Sequence, residues 1–224
     1  ITYDGLSDIE FLQEYFRSIT IGHAYRSTYN IGSYQSNLDY EKYAQDEISG
    51  DYLPEYEINS VSISEQFSPL INLDLTWTNN LITRFEYKRD RAVSLSLANN
   101  QITEMRGEEF VFGSGFRFDD VKIVVGTSSG QQTFESDLNI RADFSIRDNI
   151  TIIRQLLTSM DREDGEAETG QKITSLKLTA DYVLSDRFNV RLFFNRRINQ
   201  PYTSRSYPSY DTEFGFSVRF TLVP

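Results

Sequence analysis

The sequence contains no cysteine, one histidine and one tryptophan among its 224 residues. The lack of cysteine excludes disulfide frameworks, thiol catalysis and cysteine-ligated zinc or iron–sulfur centres. Long apolar runs are also missing, because the longest runs have three residues, as in Phe110 to Phe112; no helix of about 20 apolar residues can therefore cross a membrane. The 22 basic residues are outnumbered by 33 acidic ones, which argues against a nucleic-acid-binding protein.

Aromatic residues are abundant instead, with 16 Phe and 14 Tyr, and large apolar residues recur at every second position. In Phe214–Leu222 the apolar residues alternate with Gly, Ser, Arg and Thr. The same period of two recurs in Leu138–Ile146, Leu176–Leu184 and Phe188–Phe194. This period predicts strands that each have one apolar face.

Short polar segments and longer polar segments alternate between these strands, which predicts an antiparallel up-and-down meander. The expected tight turns are Thr78-Asn79-Asn80, Asp119-Asp120, Asp148-Asn149 and Ser185-Asp186-Arg187, and the longer connections are Glu41–Glu55, Asn99–Gly107, Gly126–Ser136, Ser159–Gly170 and Asn199–Tyr210. The expected strands, about ten in all, are Ser18–Tyr40, Glu57–Trp77, Leu81–Ala98, Glu108–Phe118, Val121–Val125, Asp137–Arg147, Ile150–Leu157, Ile173–Leu184, Phe188–Arg197 and Asp211–Leu222.

Two local features depart from the simple strand pattern. Pro69 cannot donate to a ladder, so we expect it at a bulge, a kink or a strand boundary. Ser7 and Glu10 have the spacing of a capping box ahead of residues at helical spacing, which predicts a short amphipathic helix over residues 7–16. We therefore expect a helix and lead-in over residues 1–17 and a β-barrel segment over residues 18–224. Ile1 is not an initiator methionine, so we expect a mature or truncated chain.

The alternation fits either a soluble β-barrel, whose apolar face points inward, or an outer-membrane barrel, whose apolar face meets lipid. Strands longer than the average of about 5–6 residues and aromatic residues near strand ends favour the membrane barrel. The positions between the apolar residues carry charges of both signs, as expected for a wet interior. These are Asp74, Arg84, Glu86, Lys88, Arg117, Arg141, Asp143, Lys177, Asp181, Arg191 and Arg219.

No sequence motif supports an enzyme or a bound cofactor. His23 is the only histidine, and we expect it to be a wall residue with a hydrogen-bond partner rather than a catalytic base. Asp143 and Asp181 are expected to pair with Arg141, Lys177 or Arg191 across a ladder rather than to act as catalytic carboxylates. The acidic residues 161–168 lack the glycine and the spaced ligands of a calcium loop, so we expect a solvated surface loop. Catalytic, cofactor-binding and metal-binding residues are thus all predicted to be none.

Five long strings resemble the C-terminal part of the SprA/Sov family, the outer-membrane translocons of the Bacteroidetes type IX secretion system. The resemblance runs in order from Tyr3 to Leu222. The strings are FRSITIGHAYRSTYNIGSYQSN (Phe16–Asn37), VSISEQFSPLINLDLTW (Val61–Trp77), TRFEYKRDRAVSLSLANNQITE (Thr83–Glu104), DLNIRADFSIRDN (Asp137–Asn149) and ADYVLSDRFNVRLFFNR (Ala180–Arg196).

The resemblance implies that these strands are an arc of a single-chain barrel of about 36 strands, the largest size known. It implies a bacterial outer-membrane location and a pore through which folded cargo proteins reach the cell surface. The implied partners are the remaining strands of the barrel, a PorV-type outer-membrane barrel, a periplasmic plug protein, secreted cargo and outer-membrane lipid. Three alternatives stay open: a small self-closed porin or adhesin-like barrel, a soluble β-barrel with an apolar ligand, and an outer-membrane hydrolase that uses His23.

Overall fold

The computed structural model describes residues 1–38, 40, 50, 52–127, 130–156, 167–185, 188–203 and 206–220. These residues form ten strands, one 3₁₀ turn and one short helix. In chain order the elements are β1 (Thr2–Tyr3), the 3₁₀ turn (Gly5–Asp8), α1 (Glu10–Gln13), β2 (Phe16–Gly22), β3 (Tyr25–Ser36), β4 (Tyr56–Trp77), β5 (Leu81–Ser96), β6 (Gln101–Thr127), β7 (Gly130–Gln155), β8 (Ala167–Ser185), β9 (Phe188–Pro201) and β10 (Ser209–Phe220).

All ten strands belong to one antiparallel sheet in which neighbours in sequence are mostly neighbours in space. From β4 to β10 each strand pairs with the next. The long strand β4 pairs with β5 on one side, and on the other side with β2 and then with β3. The all-β, up-and-down prediction is confirmed.

The sheet does not close on itself within the described residues. Strand β10 pairs with β9 alone, while β3 lies at the opposite edge and pairs with β4. No pairing joins the first strands to the last in this part of the chain.

Several predicted boundaries are wrong, and most of these errors concern β6 and β7. The predicted strands Glu108–Phe118 and Val121–Val125 are one strand, and so are Asp137–Arg147 and Ile150–Leu157. Asp119-Asp120 is not a hairpin turn but a bulge between Phe118 and Val121, with Asp120 at a φ of 55°. Asp148-Asn149 lies inside β7, paired with Glu108 and Gly107. The Asp148-Asn149 dipeptide, which favours a turn, is tolerated in the strand because β6 on one side and β8 on the other pair with it.

Other boundaries follow the prediction more closely. Thr78-Asn79-Asn80 is the β4–β5 turn, with Asn80 at a φ of 67°. The predicted first strand is interrupted at His23 and Ala24, where β2 ends and β3 begins. Pro69 lies at a bulge of β4 as expected, because the β4–β5 register shifts between Phe67 and Ile71.

The predicted helix over residues 7–16 is wrong in extent and in its cap. Only Glu10–Gln13 are α-helical, and they follow the 3₁₀ turn Gly5–Asp8. The Ser7 hydroxyl oxygen does not cap the helix but accepts a hydrogen bond from the Ile19 N–H at 2.9 Å. The side chain therefore ties this segment to β2.

The connections differ in length at the two ends of the strands. At one end the strands are joined by residues 78–80, 128–129 and 186–187, and at the other by residues 37–55, 97–100, 156–166 and 202–208. We refer to these as the short-turn end and the long-connection end. The predicted separation of short and long connections is thus present in part. The predicted long connection Gly126–Ser136 is wrong, because its described residues belong to β6 and β7, and 97–100 is shorter than the predicted Asn99–Gly107 loop.

Candidate functional site: the two faces of the sheet

The strand register assigns each side chain to one of two faces, because side chains alternate along a strand and paired residues share a face. Phe85, Phe112 and Phe144 are paired in succession and mark one face. Arg84, Gly113 and Asp143 are paired in the same way and mark the other. We call these the banded face and the polar face.

The banded face carries an apolar band, a stretch in which Arg196, paired with Leu176 and Thr212, is the only charged residue among the described positions. On β6 the band runs from Phe110 to Phe118, about 26 Å of extended strand at roughly 3.3 Å per residue. At the usual barrel tilt this length is about 20 Å in height, somewhat less than the apolar belt of roughly 25 Å on outer-membrane barrels. The band consists of Ile19, Ile21, Ile71, Leu73, Leu75, Trp77, Leu81, Thr83, Phe85, Tyr87, Phe110, Phe112, Ser114, Phe116, Phe118, Leu138, Ile140, Ala142, Phe144, Ile146, Thr174, Leu176, Leu178, Ala180, Tyr182, Val190, Leu192, Phe194, Tyr210, Thr212, Phe214, Phe216, Val218 and Phe220.

Most of this band is left uncovered by the described part of the chain. The only buried hydrophobic residues there are Ile19 and Tyr182, whereas Phe214 and Phe216 are 83% and 72% exposed. The chain exposes 16669 Å², while a compact globular protein of the same mass exposes roughly 10,500 Å². The sheet is a single layer that leaves most of its apolar face exposed.

Aromatic pairs border the band at both of its edges. At the short-turn end, Phe16 and Trp77 lie with ring centroids 4.3 Å apart. At the band edge that faces the long-connection end, Tyr87 and Phe110 stack at 4.4 Å. Aromatic residues in such positions are typical of the interface between hydrocarbon and water.

The polar face carries the charges that the sequence predicted between the apolar residues. Arg84 lies 3.6 Å from both Asp74 and Glu86, and Lys88 lies 3.3 Å from Glu86 and 3.8 Å from Glu109. These pairs form a ladder of alternating sign across β4, β5 and β6. Such a surface holds water along its length without a net field of one sign.

The residues considered for catalysis are not brought together. His23 Nδ1 donates to the Leu70 carbonyl at 2.7 Å, so it has the partner expected of a wall residue. Arg191 Nε donates to Asp181 at 2.5 Å, which confirms the expected pairing of Asp181. Asp143 is paired with Lys177 in register, and Asp181 with Asn139. The two carboxylates are thus offset by four positions, roughly 13 Å along the strands, too far for the carboxyl pairs of glycosidases.

Most of the acidic stretch 161–168 lies outside the described residues, which do not include 161–166. Among the described residues no group of three or more His, Asp or Glu side chains could hold a metal ion.

A charged cluster lies on the banded face beyond the apolar band, and the sequence did not predict it. Glu104 is only 2% exposed. Its Oε1 accepts hydrogen bonds from Arg91 Nε at 2.6 Å and Arg106 Nε at 2.8 Å, and its Oε2 accepts one from Arg154 Nη1 at 2.8 Å. We call Arg91, Arg106 and Arg154 around Glu104 the arginine cluster.

The electrostatics of the arginine cluster follow from these contacts. The hydrogen bond from Arg106 is the main cause that lowers the pKa of Glu104 to about 2, with Arg154 and Arg91 adding to it and burial opposing it. Glu104 lies on the part of β6 outside the band. The three arginine side chains stay between 32% and 49% exposed, so their remaining N–H groups face the surroundings.

A signal for this cluster is present in the sequence. On β5 the alternate positions that hold Phe85 and Tyr87 continue with Arg89 and Arg91. On β6 the alternate positions of the same face hold Glu104, Arg106 and Glu108. Where charged residues replace apolar ones at these alternate positions, the sequence indicates the end of the apolar band. Sequence reasoning treated Glu108 as the start of a strand and so missed this change.

No described helix is long and apolar enough to span a membrane. No family model matches the chain, and no curated protein matches it either.

Proposed function

We propose that this chain forms part of the wall of a protein-conducting barrel in a bacterial outer membrane, as in the SprA-like translocons of type IX secretion. The observation that carries the proposal is that a largely uncovered apolar band, with Arg196 as its one charge among the described residues, and a polar face of alternating charges lie on the same strands. In an outer-membrane barrel the first face meets lipid and the second lines a wet interior.

The open sheet favours an arc of a larger barrel over a self-closed barrel of ten strands. At the level of the band the edge strands are β10 on one side and β2, with the short β1, on the other, and they expose backbone N–H and C=O groups that lipid cannot satisfy. Further strands must pair with these edges, and the resemblance to a very large single-chain barrel supplies them. The soluble alternative requires Phe144, Leu192, Phe216 and Phe220 to pack inside a core, yet all four are exposed.

The proposed role is passive in chemistry. The polar face lets hydrated cargo pass without adhering, because each charge near Arg84 already has a partner of opposite sign. The band anchors the wall, and the long-connection end shapes the outer opening. We expect no catalytic residue, cofactor or metal to take part.

Site-specific photo-crosslinking in cells tests this role. A photoreactive amino acid at Ser175, on the polar face, is compared with one at Leu176, the next residue on the banded face. The probe is a folded fluorescent protein that carries a type IX C-terminal secretion signal. The proposal predicts crosslinks from position 175 only, and none with a reporter that lacks the signal. Equal crosslinking from both positions, or from neither, contradicts it.

A further inference from the structure

The arginine cluster is built to leave basic groups available for a ligand. One buried carboxylate, that of Glu104, fixes one N–H of each of three guanidinium groups. A guanidinium has five N–H donors in a planar fork, so most donors of the three remain for other acceptors. Glu104 acts as a positioning residue that holds the arginines side by side.

The charge of the cluster is opposite to that of the chain. Three arginines and two glutamates, Glu104 and the Glu65 that pairs with Arg91 at 3.7 Å, leave one positive charge. Arg89 and Glu108 beside the cluster pair with each other at 3.7 Å. The chain as a whole has a net charge of −11, so ion pairs between neighbouring strands do not by themselves account for a local excess of positive charge.

The position of the cluster points to the class of ligand. Arg91 and Arg106 face each other four residues beyond Tyr87 and Phe110 at the edge of the band, roughly 13 Å along the strand or about 10 Å in height at the usual barrel tilt. This is the level of lipid head groups, and arginine side chains can extend back towards the hydrocarbon.

The leaflet follows from the connections. The cluster lies towards the long-connection end, and in outer-membrane barrels the long loops face the cell exterior. The outer leaflet there consists of lipopolysaccharide, whose lipid A carries phosphate groups next to its acyl chains. Arginine forks bind phosphate through two parallel hydrogen bonds.

We propose that Arg91, Arg106 and Arg154, held by Glu104, bind the phosphate groups of an outer-leaflet lipid A molecule on the lipid-facing side of the sheet. The inference rests on the proposed membrane wall. It adds a specific lipid site that fixes the depth of the sheet in the bilayer.

The test uses the full-length purified protein and counts bound lipid by native mass spectrometry. The probes are bisphosphorylated lipid A, lipid A with both phosphates removed, and phosphatidylcholine. We expect retention of phosphorylated lipid A alone. We expect Arg106→Gln to lower retention by roughly tenfold, since a charge-assisted contact is lost, and Arg106→Lys to restore part of it. Arg84→Gln, which changes an equally exposed arginine on the polar face, is the matched control and leaves retention unchanged.

The contradicting outcomes are distinct. Equal retention of phosphate-free lipid A, or no loss in Arg106→Gln and Arg91→Gln, overturns the lipid site. Displacement of lipid A by excess inorganic phosphate assigns the cluster to a free anion and also overturns it. Flotation of the wild-type protein with pure phosphatidylcholine vesicles is scored first. Failure to float overturns the membrane wall itself, whereas flotation without lipid A retention overturns only the lipid site.

Discussion

The rings of Tyr87 and Phe110 stack across the β5–β6 ladder with centroids 4.4 Å apart and planes 16° apart. The next pair on the same face, Arg89 and Glu108, is charged. The change from aromatic to ionic within one step defines where the apolar band ends. In the proposed barrel this step is the boundary between hydrocarbon and head groups.

A charge placed inside the band destabilises the folded protein in a bilayer. We expect Phe112→Arg to lower the free energy of unfolding by about 2–4 kcal/mol, the range for arginine near the midplane on the lipid face of a barrel. Ser145→Arg, on the polar face of the adjacent strand, is the control and should change it by less than about 1 kcal/mol. Urea titration in phosphatidylcholine vesicles measures both. Equal effects of the two variants would show that the faces are not distinguished by lipid.

Glu104 gives the long-connection end a pH dependence at acid pH. Its pKa is lowered to about 2 from 4.5, so the stability it contributes is present above about pH 4.5 and is lost as the pH falls through about 2. We expect Glu104→Gln to be less stable than wild type by on the order of 1–3 kcal/mol near neutral pH. The difference should vanish near pH 2.

The control for Glu104 is Glu108→Gln, which changes an exposed acid in a 3.7 Å ion pair and should have an effect of at most about 1 kcal/mol. Urea titrations of the three proteins across this pH range provide the measurement. A constant difference between wild type and Glu104→Gln at every pH would contradict the ionic role of Glu104.

Two glycines towards opposite ends of the strands should respond differently to alanine. A Cβ at Gly170 would lie 2.7 Å from the Asn149 carbonyl oxygen and 2.9 Å from the Tyr202 ring, whereas one at Gly115 would meet only the Ile140 carbonyl oxygen at 3.9 Å. Because backbone cannot move aside cheaply, Gly170→Ala should cost about 1–3 kcal/mol. Gly115→Ala should be nearly neutral, and a reversed order of urea midpoints would contradict the described packing.

Tyr182 holds the end of the β6–β7 hairpin. Its hydroxyl lies 2.8 Å from the Val121 carbonyl oxygen and 3.1 Å from that of Phe134, one on each strand of the hairpin. We expect Tyr182→Phe to speed amide hydrogen exchange in residues 121–124 and to cost about 1 kcal/mol. Tyr210→Phe, at an exposed tyrosine, is the control. Unchanged amide exchange in Tyr182→Phe would show that the Tyr182 hydroxyl does not hold the end of the hairpin.

The strands could be predicted from the sequence wherever apolar residues alternate, as in β4, β5, β9 and β10. Prediction failed where Asp and Asn interrupt a strand, as at Asp119 and Asp148, because their turn preference is local. The pairing of Asp148 with Glu108 and of its neighbours on both sides outweighs that preference. Such pairing depends on residues 40 positions away and is not visible in a single segment.

The two faces were also predictable, but the arginine cluster was not. Alternation assigned Arg84 and Asp143 to the polar face, as the register confirms. The contact between Arg154 and Glu104 joins residues 50 positions apart, and only the β6–β7 register brings them together. The resemblance to a secretion translocon stays a prediction.

Spin-label accessibility along β7 tests the central claim most directly. Because the chain has no cysteine, single Cys substitutions from Asn139 to Ile146 each carry one nitroxide. In a reconstituted bilayer we predict that labels at positions 140, 142, 144 and 146 relax with dissolved oxygen, and that labels at 139, 141, 143 and 145 relax with a water-soluble nickel complex. Nickel accessibility at all eight positions, without alternation, would contradict the assignment of the banded face to lipid.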